Sequence, residues 1–124
     1  MSQAIILFAH GARDSEWARP FERLREALLA LSPGSVVELA YLELMEPDLD
    51  GAVDVLAARG VTAVSIVPVF MAQGSHLKRD LPLLVEEVRA KHPRITFRLQ
   101  PAIGETQAVI DAMAQHIASQ TWSN

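Results

Sequence analysis

The sequence contains no cysteine. That absence excludes disulfides, thiolate metal sites and cysteine nucleophiles, and leaves His, Asp and Glu as the strong ligands. Any metal chemistry is therefore imidazole and carboxylate chemistry. A long hydrophobic run is missing too: the longest unbroken apolar stretch covers residues 4–9, far short of the ~20 residues that a membrane-spanning helix needs. The first residues carry neither the basic flank nor the cleavage site of a secretory signal. The expected location is the cytoplasm, with no membrane partner. Nor is there a basic stripe. The net charge is −4 with both signs interspersed, which argues against nucleic acid, because sequence-independent phosphate binding needs clustered Lys and Arg. Internal repeats, low-complexity tracts and long linkers are also absent. What is there is apolar: 50% of the 124 residues, enough to bury one core, on a chain too short for two ordinary domains. One domain over 1–124 is expected.

Residues 4–9 read Ala-Ile-Ile-Leu-Phe-Ala and end at Gly11, the pattern of a strand buried on both faces. From Ser15 the spacing changes. Trp17, Phe21, Leu24, Leu28 and Leu31 recur at helical intervals until Ser32-Pro33-Gly34 stops the run. Residues 35–42 read as a second strand. Glu46-Pro47-Asp48 then opens a second helix, with proline near its first turn, that runs to Arg59 and meets Gly60 as its C-cap. A third strand covers 61–69, with Pro68, which cannot donate to a sheet ladder, marking the end of regular pairing. It delivers 70–76 as a loop. Leu77, Leu81, Leu84, Val85 and Val88 line one face of a third helix that ends before Pro93. Residues 95–99 give a fourth strand, and Val109, Ile110, Met113 and Ile117 a last helix. This alternation predicts a single-domain α/β fold: a parallel four-stranded sheet in the order 2-1-3-4 with helices on both faces, layered like Rossmann and flavodoxin folds.

Ligands of open α/β sheets collect outside the carboxyl ends of the strands, where successive connections diverge. That switch point lies here between the first and third strands. His10 and Gly11 follow the first, Gly74-Ser75-His76 follow the third, and Glu43 follows the second. With neighbouring strands ~4.8 Å apart, three metal or proton ligands are expected to converge on one rim. Each has an ordinary alternative. His10 can be a strand-end residue held by a backbone hydrogen bond, and Glu43 a solvated loop carboxylate. His76 can be an ordinary helix N-terminal residue, although the helix dipole disfavours an imidazolium there and so favours a neutral, ligand-competent ring. Arg13 either binds an anion or pairs with Asp14 and Glu16. Lys78 and Arg79 open a helix, a poor place for cations unless something acidic binds nearby. Phe70 and Met71 are either core or an apolar wall for a flat molecule. His92 and His116 are far from the rim and read as structural.

His10-Gly11-Ala12-Arg13, Leu42-Glu43 leading to Pro47, and Val67-Pro68-Val69-Phe70 running into Gly74-Ser75-His76 and Asp80-Leu81-Pro82 together resemble the short form of the CbiX-type sirohydrochlorin chelatases. These are relatives of the larger class II chelatases and ferrochelatases. The resemblance covers nearly the whole chain, and its combination of motifs is specific where each part alone is not. Ala12 departs from it, since the family often has serine there. The resemblance implies a chelatase that inserts a divalent metal, cobalt foremost, into sirohydrochlorin in cobalamin or siroheme synthesis. It also implies a homodimer whose cleft is lined by both subunits.

On that reading His10 and His76 hold the metal and share in catalysis with Glu43 as a supporting proton acceptor. Gly11, Arg13, Phe70, Met71, Gly74, Ser75, Lys78 and Arg79 contact the acidic tetrapyrrole. No cofactor is permanently bound; cobalt, nickel or iron is a substrate, and a closed four-ligand site would hold it too well. Two other classes stay open. A non-catalytic tetrapyrrole or metal carrier would use the same histidines. A histidine phosphatase-like hydrolase is disfavoured by Ala9, which stands where those enzymes have arginine.

Overall fold

Four parallel strands, β1 (Gln3–Ala9), β2 (Val36–Tyr41), β3 (Ala63–Pro68) and β4 (Thr96–Leu99), form one sheet in the order β2-β1-β3-β4 in a computed structural model that describes residues 3–120. The ends of the expected 1–124 domain, residues 1, 2 and 121–124, lie outside the described residues. Order and sense are those read from the alternation of patterns. In β1, central and flanked on both sides, Ile6 lies opposite Glu38 and Ile66, and Phe8 opposite Ala40 and Pro68. Burial from two sides is why its sequence is a continuous apolar run.

The helices are α1 (Arg19–Leu31), α2 (Leu49–Ala58), α3 (Ser75–Lys91) and α4 (Gln107–Ser119), with 3-10 turns at Ser15–Ala18 and Ile103–Glu105. Two boundaries differ from the sequence reading. The helix expected from Ser15 starts as a separate turn, capped by Asp14, whose carboxylate accepts the Glu16 N–H at 2.9 Å. Pro20 sits in the first turn of α1, where its missing donor costs nothing and its fixed φ suits a fresh start. Pro47 is not in the first turn of α2. It precedes the helix behind a cis peptide, and Asp48 is the N-cap, accepting the Gly51 N–H at 2.9 Å.

One face of the sheet carries the main core. Ala4, Ile6, Phe8, Val64, Ile66 and Phe97 pack there under Ala52, Val53 and Leu56 of α2 and Leu81, Val85 and Val88 of α3. The apolar positions read for the third helix are the ones that face inward. On the opposite face a smaller cluster joins Ala9, Ala18 and Tyr41 to Trp17, Phe21, Leu39 and Met45. The Arg25 Nε–H, donating to the Val37 carbonyl at 2.7 Å, ties α1 down over β2. Here the expectation of helices on both faces is met only in part of the sheet. No residue of α1 is fully buried and Leu31 is 86% exposed. Helix α4 has no buried residue, and its principal contact is the turn Ile103–Glu105 instead of the sheet.

Candidate functional site

Backbone pairing continues past the ends of the strands and fixes the rim. Leu42 N–H donates to Ala9 O at 2.9 Å, Glu43 N–H to His10 O at 3.1 Å, and Val69 N–H to Phe8 O at 2.8 Å. His10 and Glu43 are thereby held on adjacent segments at the carboxyl edge. Gly11 follows with φ +91, and a Cβ there would overlap the Glu43 carbonyl oxygen. Glycine is required at 11 for both reasons, conformation and close approach.

His10 is exposed, and its ring lies against Phe70 with centroids 4.6 Å apart at 42°. Phe70 is itself buried and meets Phe8 edge-on at 6.2 Å. Phe70 is thus core and platform at once, transmitting the rigidity of β1 to the His10 ring. Met71, 67% exposed, stands beside it as an apolar side chain on the rim.

The loop after β3 is buttressed by residues that the sequence reading did not single out. Gly104 N–H donates to Phe70 O at 2.9 Å, a Cβ on Gly104 would overlap the backbone of Met71, and the Glu105 carboxylate accepts the Gln73 N–H at 3.4 Å. Some thirty residues separate these partners. No local pattern betrays them; the only sequence trace is a glycine inside an otherwise ordinary turn.

His76 occupies the second position of α3, after Ser75 and the N-cap Gly74, whose missing side chain offers no cap. The residue is exposed, and Nδ1 lies 3.2 Å from Arg79 Nη2. A guanidinium only donates, so only an unprotonated Nδ1 can make this contact. Arg79 also lies 3.8 Å from the Asp80 carboxylate. Of the two alternatives for Arg13, pairing with its neighbours does not occur: Glu16 pairs with Arg19 at 3.2 Å, and Arg13 makes no ion pair among the described residues. Lys78 makes none there either. Two unneutralised cations and a third engaged with His76 therefore edge the rim.

His10, His76 and Glu43 share this edge without forming a complete ligand set. Among the described residues no group of three or more His, Asp or Glu side chains is placed to hold one metal ion. The two remaining histidines lie elsewhere. His92 ends α3, with Nε2 3.0 Å from Asp54 Oδ1, and His116 is exposed on α4.

The CbiX family model matches residues 4–120. Among curated relatives, the sirohydrochlorin cobaltochelatase of Methanopyrus kandleri is 35% identical over 82 residues, which are 66% of this chain and 57% of that protein. Among solved structures, the CbiX protein of Marinobacter aquaeolei VT8 aligns with a TM-score of 0.85 at 36% identity, over 95% of this chain and 96% of that one. The sirohydrochlorin chelatase SirB of Bacillus subtilis subspecies spizizenii, in complex with cobalt, aligns with a TM-score of 0.81 at 25% identity. That alignment takes in 97% of this chain and 51% of SirB. The matches thus cover about half of SirB, 57% of the Methanopyrus protein and nearly all of the Marinobacter one.

Proposed function

The chain belongs to the CbiX family, and from that premise we propose that it is a metal chelatase inserting a divalent metal, cobalt foremost, into sirohydrochlorin in tetrapyrrole synthesis. The observation that carries this reading is the rim: an exposed His10 braced on Phe70, an exposed His76 at the start of α3, and the cations Arg13, Lys78 and Arg79 beside them.

The chemistry asked of such a site is modest. The ion must shed water and be presented to the ring, and two pyrrole N–H protons must leave. Neutral imidazoles of His10 and His76 suit borderline ions such as cobalt, nickel and iron. Because the metal is a substrate that departs with the product, an open set of donors, with no three grouped for one ion among the described residues, suits its release. Glu43, exposed and beside His10, is the supporting proton acceptor. Gly11, Gly74 and Ser75 let backbone approach the macrocycle, Phe70 and Met71 give it an apolar wall, and the cations take its carboxylates.

A macrocycle is wide for one such rim. The working unit is a homodimer in the cytoplasm, with a cleft that two copies line together, which a chain half the length of SirB supports. A time course of cobalt insertion into sirohydrochlorin, at substoichiometric protein and with nickel and iron compared, tests the proposal. Many turnovers per chain are expected. A single stoichiometric round would instead identify a metal or tetrapyrrole carrier.

A further inference from the structure

Among the described residues one that is not glycine has a positive φ, and it is a leucine. Leu44, on the loop between β2 and α2, sits at φ +66, a region that a side chain with a Cβ enters at a cost in free energy and that Gly, Asn and Asp fill most readily. Leu44 is also 59% exposed. It therefore carries backbone strain and leaves hydrocarbon in water, with little burial of its own to offset either.

Its neighbours show how the conformation is enforced. Glu43 is fixed on one side: its N–H donates to the His10 carbonyl at 3.1 Å, and its own carbonyl oxygen fills the space that a Cβ on Gly11 would need. Met45 is fixed on the other, packed against the cluster of Ala9, Ala18 and Tyr41. The Tyr41 N–H closes the loop by donating to the Pro47 carbonyl at 2.9 Å. Between a pinned Glu43 and an inward Met45, the chain passes by turning residue 44 out to solvent. None of these contacts involves the leucine side chain. Glycine or asparagine would make the same turn with less strain, so the fold alone does not account for leucine here.

The place of the loop does account for it. Strand β1 lies between β2 and β3, so the loops that follow those two strands flank the His10 segment, with Leu44 on one and Met71, 67% exposed, on the other. The two strands are two spacings apart, about 10 Å. The other large apolar residues that stand exposed, Leu24, Leu31, Val55, Leu83, Ile110 and Ile117, all ride on helices. We infer that Leu44 is a substrate-contact residue, an apolar stop that meets the tetrapyrrole on the β2 side of His10 as Met71 meets it on the β3 side. The bound ring covers the leucine's hydrocarbon and so offsets the free energy that the loop conformation costs in the empty chain. The ring is selected over a second copy of the chain as the occupant because Leu44 is tied, through Glu43, to the backbone of His10 itself. Without a titratable group, Leu44 acts on capture and positioning of the ring and not on proton removal. The inference rests on the chelatase reading above and adds a residue to its substrate wall.

Sirohydrochlorin without metal and cobalt without sirohydrochlorin, each titrated into the full chain, test it. Leu44→Asn keeps a residue that tolerates positive φ and removes the apolar body, and Leu44→Met restores most of that body. Leu44→Asn is expected to unfold in urea no earlier than the parent, to sediment as the parent does and to bind cobalt alone with the parent's affinity. It should bind sirohydrochlorin about tenfold more weakly, the size expected when most of one aliphatic side chain is left uncovered. KM for the tetrapyrrole should rise in step while kcat changes much less, and Leu44→Met should stay within about threefold of the parent in binding. Parent-like sirohydrochlorin binding by Leu44→Asn would overturn the assignment and leave the chelatase reading standing. A clear fall in the urea midpoint would make Leu44 a packing residue, and a weakened dimer would give it to the second copy; either result would overturn the assignment as well. A parent chain that binds no sirohydrochlorin would instead remove the chelatase reading, and this inference with it.

Discussion

At the scale of single residues, the rim depends on three kinds of contact that can be broken separately. His10 and His76 are both exposed and lie outside the core, His10 resting on the Phe70 ring and His76 against Arg79. His10→Ala and His76→Ala should therefore melt like the parent yet lose about 10²-fold or more in insertion rate, the range of a positioned acid–base group. Thermal melts alongside single-turnover insertion check this, and parent-like rates would remove that histidine from the site. Gly11→Ala is different in kind. Positive φ and the collision with the Glu43 carbonyl should cost roughly 1–3 kcal/mol in urea unfolding, and should displace His10 as well. Arg79 donates to Nδ1 of His76, one of the two ring nitrogens through which an imidazole can bind a metal. Replacing it by Met should strengthen binding of cobalt alone several-fold by calorimetry while weakening capture of the tetrapyrrole. If cobalt binding is unchanged, the Arg79 contact does not compete with metal. Much of this was legible in the sequence, because histidines after apolar strands stand out against their surroundings. The dual role of Phe70 was not, since a platform and a core residue read alike along a chain. Neither was the tie between Arg79 and His76, which only a folded turn of α3 creates.

Elements bring a second layer of evidence, and a pH dependence. The Lys91 ammonium at the end of α3 donates to the Asp50 carboxylate of α2 at 2.5 Å, and that hydrogen bond and charge raise its pKa above the ordinary 10.5. Tyr41 at the end of β2, 5% exposed, is also raised above its ordinary 10.0, first by burial of the phenol and then by the negative charge of Glu22. In both cases the folded state holds its proton more tightly than the unfolded chain. Their stabilisation is complete below the unfolded values and fades as pH climbs through the folded ones. Urea midpoints should therefore be level from neutral pH to pH 9 as far as these groups are concerned, then decline above about pH 10. Tyr41→Phe should flatten that decline, and a Tyr41→Phe variant with the parent's alkaline slope would show that the phenol plays no part. The element boundaries show where sequence signals are ambiguous. Pro47 was read as lying in the first turn of a helix and instead precedes α2, whereas Pro20, not singled out in the sequence, is the proline that sits in a first turn. In α1 and α4 the apolar stripes were as clear as in α3, yet they are not buried within one chain. Periodicity reports that a face wants covering and is silent on what covers it.

For the whole molecule, that silence is the informative part. Topology followed from alternation alone because right-handed crossovers leave few choices once four strands and four helices are placed. Completeness did not follow: the sheet is half-roofed, α4 has no buried residue, and no three metal donors are grouped for one ion among the described residues. The consequence is kinetic. If the macrocycle sits between two rims, a dissociated chain loses the opposite wall. Specific activity should then fall on dilution, following the dimer fraction measured by sedimentation at the same concentrations, and recover on reconcentration. Salt separates this from substrate capture. Association through apolar surface responds weakly to ionic strength, whereas on the proposed reading capture of a polycarboxylate by Arg13, Lys78 and Arg79, on a chain of net charge −4, would depend on local attraction that salt screens over about 8–10 Å. Raising salt at high protein concentration should raise KM with kcat nearly constant, and diluting at constant salt should lower kcat per chain. Constant specific activity across the range in which the dimer dissociates would mean that one rim suffices, and the shared cleft would have to be given up.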